Sequence, residues 1–146
     1  AVSANGKRFA VAGKKKETGS AYVKVMEWRG RMWEQVGDDI EDADDCCFSD
    51  NFSTSVSLSD SGTRLVFGNS GYGPLVGEEA YNFGIVRIYD WNGASWVQVG
   101  QSLSMIDGSK ETPGTWFGFS TAISANGGRV VVTAAKGGLN GIYELI

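Results

Sequence analysis

Two stretches of this chain can be laid over each other without a gap. Residues 22–37 read YVKVMEWRGRMWEQVG, and residues 85–100 read IVRIYDWNGASWVQVG. The overlay matches Val23 with Val86, Trp28 with Trp91, Gly30 with Gly93, Trp33 with Trp96, Gln35 with Gln98 and Gly37 with Gly100. A second block occurs three times, as AVSANGKRFAVAG at 1–13, SLSDSGTRLVFG at 57–68 and AISANGGRVVVTA at 122–134. In it Gly6, Gly62 and Gly127 coincide, as do Arg8, Arg64 and Arg129. Phe52-Ser53-Thr54-Ser55 against Phe117-Gly118-Phe119-Ser120 supplies a third match. Agreement at so many spaced positions makes the chain a tandem repeat, whose units must bury their apolar surface against neighbours like themselves.

Each unit reads as four short strands. Val56-Ser57-Leu58 alternates, Asp60-Ser61-Gly62 turns the chain, and Arg64-Leu65-Val66-Phe67 follows. After a variable loop, Ile85-Val86-Arg87-Ile88-Tyr89 alternates again, with one face inward. Asn92-Gly93 is a hairpin signal because both residues accept positive φ, and Trp96-Val97-Gln98-Val99 closes the unit. No segment keeps a 3.6-residue apolar period, so the expectation is an all-β chain. Four strands per repeat suit a β-propeller-like array of four-stranded antiparallel blades. Its expected core is Val23, Val25, Val56, Leu58, Leu65, Val86, Ile88, Ile123 and Val131. The divisions are a partial blade at 1–51, a complete blade at 52–116 and a partial blade at 117–146, incomplete at both ends. Closed propellers use at least about four blades. The chain is therefore expected to be a piece of a larger propeller, or to complete a ring with another chain.

Composition narrows the function classes. There is no histidine among the 146 residues, which excludes Ser-His-Asp and Cys-His catalysis and any His-ligated metal. A net charge of −4 leaves Lys14-Lys15-Lys16 as the one basic run, too short to track a phosphate backbone, so no nucleic-acid partner is expected. No stretch of about 20 apolar residues is present to make a transmembrane segment. The chain begins at Ala1 with no charged-then-apolar leader, as a processed chain or a piece of a longer one would.

The repeated pattern is Phe-Gly-x-Ser, then Ser-x-(Asn/Asp)-Gly-x-Arg and an apolar run, then Tyr-x-Trp-x-Gly-x-x-Trp-x-Gln-x-Gly. It resembles the FG-GAP-type repeats that build integrin-α-like propellers and large extracellular proteins. The resemblance covers nearly the whole chain and implies a propeller fold, an extracellular or cell-surface location and no catalysis. It also implies scaffolding or adhesion, with a protein or glycan partner met through inter-strand loops. Two departures stand out. Phe52-Ser53 replaces Phe-Gly in one copy, and Gly13-Lys14-Lys15, Gly68-Asn69-Ser70 and Ala134-Ala135-Lys136 occupy the Gly-Ala-Pro segment. The family's acidic calcium loop has no counterpart at 14–20 (KKKETGS) or 69–82 (NSGYGPLVGEEAYN), so neither a metal nor another cofactor is expected. The alternative function is a structural subunit or filament component that assembles with neighbouring copies through its incomplete ends.

Several residues invite chemistry. Asp38, Asp39, Glu41, Asp42, Asp44 and Asp45 crowd together, but no glycine follows to turn a calcium loop, and the run reads as a solvated inter-blade segment. Adjacent Cys46 and Cys47 are left as free thiols or as bridges to other chains. In a secreted propeller, as the resemblance implies, a disulfide stapling the acidic loop is favoured. Asn51-Phe52-Ser53 is a glycosylation sequon. Glu78-Glu79 with Asp90 resembles a glycosidase carboxylate set, yet no apolar setting marks an acid. Trp28, Trp33, Trp91 and Trp96 recur at repeat positions and read as blade packing, whereas Trp116 and Tyr72 fall outside the pattern and are contact candidates. The 69–82 loop adds Leu75, Val76 and Tyr81 among glycines, without strand or helix propensity, as a partner-binding surface.

Overall fold

The computed structural model describes residues 1–42, 53–73, 75–76, 79–80, 82–104, 114–136 and 141–145, with 75–76 and 79–80 described by their backbone alone. Every regular element among them is a β-strand. No helix among them is long and apolar enough to cross a membrane. Strands β1 (Arg8–Lys14), β2 (Ala21–Trp28), β3 (Trp33–Gln35) and β4 (Ile40–Glu41) form a first antiparallel sheet. The second begins with β5 (Thr54–Leu58) and β6 (Arg64–Asn69). The chain then leaves it to make a two-stranded ribbon of β7 (Leu75–Val76) and β8 (Glu79–Ala80). It returns as β9 (Ile85–Trp91), β10 (Trp96–Gln98) and β11 (Leu103–Ser104). A third sheet contains β12 (Phe117–Ile123), β13 (Arg129–Ala134) and β14 (Gly141–Glu144).

The sheets obey one register. Leu65 faces Tyr89 across β6 and β9, as Val130 faces Tyr143 across β13 and β14. The outer strand is split in the first two sheets: β3 and β4 both pair with β2, and β10 and β11 both pair with β9. Each split contains a glycine in the left-handed region, Gly37 (φ 73°) and Gly100 (φ 68°), where a Cβ would be strained. Before β1 a single bridge, Val2 to Phe9, stands where β5 pairs with β6 through Leu58 and Leu65 in the second sheet.

Two apolar layers hold the sheets together. Ala10, Ala21, Val23, Val25, Val36 and Ile40 of the first sheet's segment meet Leu58, Leu65 and Phe67 of the second. On the other face of the second sheet, Val66, Val86 and Ile88 meet Phe117, Val130 and Val132. The middle sheet is therefore apolar on both faces, which is why Leu65-Val66-Phe67 is an unbroken apolar run rather than an alternation. Full burial of such a side chain contributes about 1.5–3 kcal/mol, so these layers dominate cohesion. The expected core residues Val23, Val25, Leu58, Leu65, Val86 and Ile88 are buried, and Val56 and Ile123 pack partly buried against the two layers. Val131 is a correction: it is 40% exposed, because it repeats Val66 on a face that no further sheet covers among the described residues. The 69–82 segment also departs from expectation, since β7 and β8 pair within it.

The second and third sheets approach so closely that side chains are excluded. Gly84 bridges Phe117 in parallel, and a Cβ on Gly84 (φ 82°) would lie 1.9 Å from the Phe117 carbonyl oxygen. Gly118 and Gly68 share this contact; a Cβ on Gly68 would meet the Gly118 oxygen at 2.4 Å. The first junction lacks that approach. There Ser53, the counterpart of Gly118, exchanges hydrogen bonds with Ser70, while Ala12, the counterpart of Gly68, carries a Cβ and packs partly buried on the first apolar layer. Thus the Phe-Ser departure is tolerated. Gly93 has φ 100° and nothing within 4 Å of its Cβ direction, so Gly93→Ala is expected to cost only the about 1–2 kcal/mol of left-handed strain. Gly84→Ala must in addition separate two sheets. In urea unfolding it is expected to cost clearly more, and equal losses for the two variants would contradict the packing described.

Candidate functional site

The repeated Ser-x-x-Gly-x-Arg segment builds one turn three times. Each serine takes a backbone bond from itself to the arginine carbonyl (Ser3 to Arg8 2.9 Å, Ser59 to Arg64 2.9 Å, Ser124 to Arg129 2.8 Å). The arginine N–H donates back to the serine hydroxyl at 2.9, 3.2 and 2.9 Å. Gly6, Gly62 and Gly127 carry φ of 67°, 68° and 74°, which explains glycine at that place. Asn5 and Asn126 accept from the next-but-one backbone N–H, an Asx turn, and Ser61 does the same more weakly.

Each turn arginine then reaches the carboxylate directly opposite it on the adjacent strand. Arg8 pairs with Glu27 at 2.8 Å, Arg64 with Asp90 at 2.6 Å and Arg129 with Glu144 at 3.0 Å. The first two also span sheets, since Arg8 Nη1 donates to the Gly62 oxygen at 3.1 Å and Arg64 Nη1 donates to the Gly127 oxygen at 3.0 Å. Backbone bonds run parallel to them, from Ala4 N to Asp60 O and from Asp60 N to Ala125 O, both 3.0 Å. Asp90, one of the residues that suggested a glycosidase, is thus engaged by Arg64, whose hydrogen bonds hold its carboxyl below the ordinary range. The carboxylate partners were not foreseen from sequence. The signal was there: Glu27 and Asp90 precede the matched Trp28 and Trp91, and Ile142-Tyr143-Glu144 repeats Ile88-Tyr89-Asp90.

A second charged centre is buried between the first two sheets. Asp42 is 2% exposed and pairs with Arg87, and the Asn69 side-chain amide donates to its other oxygen at 3.0 Å. Arg87 also donates to Ser102 Oγ at 3.1 Å, and its guanidinium lies 5.6 Å from the centre of the Tyr72 ring. This corrects the reading of the acidic run as wholly solvated. Asp38 and Glu41 remain exposed and Asp39 is half-buried, but Asp42 turns inward where Ile40 anchors the strand. Tyr72 is half-buried over this pair and caps it.

Trp116 stands apart. It is the only non-glycine among the described residues with positive φ (56°), a strained setting for a bulky side chain. Its neighbours fix it. Trp116 N donates to Asn82 O at 3.1 Å, Phe119 N to Trp116 O at 3.2 Å, and Thr115 Oγ1 to Phe83 O at 2.7 Å. The indole stacks on Phe119 (6.5 Å, 27°), which is 42% exposed, and Lys136 Nζ sits 5.0 Å from the indole centre. A flat aromatic shelf edged by a cation can stack a sugar ring or a planar side chain and hold an acceptor beside it.

Trp116 therefore borders Asn82 at the end of the 69–82 segment, and Gly84 N of the same border donates to Tyr72 O. Leu75 and Val76 belong to β7, without described side chains. Tyr81, Asn51, Cys46 and Cys47 lie outside the described residues. Among the repeated tryptophans, Trp91 and Trp96 pack on the first core layer, and Trp96 Nε1 donates to Val36 O at 2.9 Å. Trp28 and Trp33, in the same register, pack on each other and on Phe9 but stay 40% exposed. No protein-family model matches the chain, and no curated protein is similar to it.

Two outcomes follow. Removing one partner of a buried ion pair strands the other, so Asp42→Ala is expected to cost about 3–5 kcal/mol in urea unfolding, while Asp38→Ala stays within about 0.5 kcal/mol. Similar small losses would mean Asp42 is solvated. The lowered Asp90 pKa implies that its contribution is complete above the unfolded carboxylate value, about 4, and is lost as pH falls through the folded value. Stability against pH below about 5 is therefore expected to fall less steeply for Asp90→Asn than for the unaltered chain; identical slopes would contradict the clasp.

Proposed function

We propose that this chain is part of a propeller-like array of FG-GAP-like repeats and works without catalysis, as an extracellular scaffold or adhesion module. Its inter-strand loops meet a protein or glycan partner. The observation that supports this most is the division of labour among its side chains. The turn arginines and their carboxylates, Trp91, Trp96, and the Asp42–Arg87 pair are engaged in joining sheets, whereas Trp116, Phe119 and Lys136 form a shelf held in a strained backbone beside a loop. Strain kept in place by surrounding bonds is a mark of sites that act on something else. The extracellular setting and the propeller closure rest on the repeat resemblance.

A second reading, as a structural subunit that assembles through its ends, is favoured by a separate observation. The outward faces of the first and third sheets expose Val11 (45%), Trp28 (40%), Trp33 (40%), Val131 (40%) and Ile142 (73%), which are apolar at positions that the middle sheet buries or half-buries.

The shelf is tested with immobilised oligosaccharides and extracellular-matrix proteins as probes. Trp116→Ala and Lys136→Ala are each expected to abolish or weaken by tenfold or more whatever binding the unaltered chain shows. Phe119→Tyr is expected to retain it, with melting temperatures of all variants within a few degrees. Binding that survives Trp116→Ala in folded protein, or no binding to any probe, would overturn the shelf as the contact site.

A further inference from the structure

The repeated contacts between sheets leave one unfilled set at each end, and the two sets are complementary. At the last turn, the Ala125 N–H and the Arg129 Nη atoms have no partner among the described residues. Their counterparts Asp60 N and Arg64 Nη1 donate to Ala125 O and Gly127 O of the following sheet. At the first turn, Ala4 O and Gly6 O likewise accept nothing among the described residues, while their counterparts Asp60 O and Gly62 O accept from Ala4 N and Arg8. Donors end the chain of contacts on one side and acceptors begin it on the other.

The space agrees with the bonds. A cleft of about 640 Å³ is lined by Ser124, Asn126, Gly128, Arg129, Glu144 and Leu145. The same place on the second sheet, around Ser59, Arg64 and Asp90, is entered by Asn126 of the next turn and retains about 250 Å³. Beside the large cleft lie Val131 and Ile142; on the opposite end of the stack lie Phe9, Val11, Trp28 and Trp33. Burial states the same difference in numbers: the Arg8 and Glu27 side chains are 15% and 24% exposed where a sheet follows, against 69% and 70% for Arg129 and Glu144.

From this we infer that the third sheet of one chain receives the first sheet of a second copy, head to tail. The partner's Asn5-Gly6 turn enters the Ser124–Leu145 cleft. Arg129 donates to the partner's Gly6 oxygen, Ala125 N donates to its Ala4 oxygen, and Val131 with Ile142 covers its Phe9, Val11, Trp28 and Trp33. This deepens the assembly reading above and rests on it. The contact is heterologous, so it extends or closes a ring rather than stopping at a two-fold pair.

The test uses sedimentation velocity on the whole chain and two blocked forms. Val131→Asp with Ile142→Asp closes the tail face, and Val11→Asp with Trp33→Asp closes the head face; the positions are all exposed, and circular dichroism checks that each form stays folded. The unaltered chain is expected to gain mass with concentration, and Arg129→Ala to weaken that association about tenfold or more, as the loss of a charged donor to a carbonyl implies. Each blocked form alone is expected to be monomeric, and an equimolar mixture to give a dimer holding one of each, joined by the one face each retains. If the unaltered chain stays monomeric at all concentrations, both this inference and the assembly reading fail. If the chain associates but each blocked form still self-associates, or the mixture gives no dimer, assembly stands and the head-to-tail seating is wrong.

Discussion

A sheet whose strands are apolar on both faces cannot be stable alone in water, and this constraint organises the whole molecule. Leu65 and Phe67 point one way and Val66 the other, so the second sheet needs a neighbour on each side and has one. Phe9-Ala10-Val11 and Val130-Val131-Val132 are likewise unbroken apolar runs, yet the outer sheets bury only one side of theirs. The apolar layers supply most of the cohesion, but they are non-directional and would tolerate sliding. What prevents sliding is the turn. Its arginine is anchored by a carboxylate in its own sheet and directed at a single carbonyl of the next. An exposed ion pair is worth little by itself, about 0–1 kcal/mol, so the clasp acts chiefly as a register device.

The opposite side of the first junction uses a different solution. Asp42 and Arg87 are taken out of water together, and Asn69, Ser102 and Tyr72 surround them. Such a pair adds little net stability over an apolar substitute, but it penalises any packing that leaves either charge unmatched. At the second junction bare backbone performs the same task, through Gly68, Gly84 and Gly118. Two junctions between similar units are thus fixed by unlike chemistry. With those side chains committed to packing, Trp116 and its shelf are left as the feature that packing does not explain.

Much of this was legible in the residues. The all-β character, the strands around Val86 and Leu65, the turns at Gly6, Gly62 and Gly127, and six of the core positions followed from alternation and self-alignment. The errors have physical origins. Val131 reads as core because a strand inside a stack and a strand at its end share one pattern, and only the presence of a neighbour separates them. Asp42 reads like its acidic neighbours because a charge run is usually solvated; nothing local marks that Arg87, distant in sequence, needs it. The carboxylate of each clasp sits on another strand, so its role emerges only when strands are paired. Trp116 was singled out by falling outside the repeat, and its positive φ adds a reason that no sequence pattern carries.

The central claim is that one directional contact between turns is repeated from sheet to sheet. It is most directly tested by amide hydrogen exchange at single-residue resolution, in dilute solution where the chain is a monomer. Ala4 N and Asp60 N donate to the next sheet's turn at 3.0 Å each, whereas the equivalent Ala125 N has no such acceptor among the described residues. The account predicts slow exchange at Ala4 and Asp60 and exchange near the unprotected rate at Ala125. Equal, fast exchange at all three would show that the sheets are not joined through their turns.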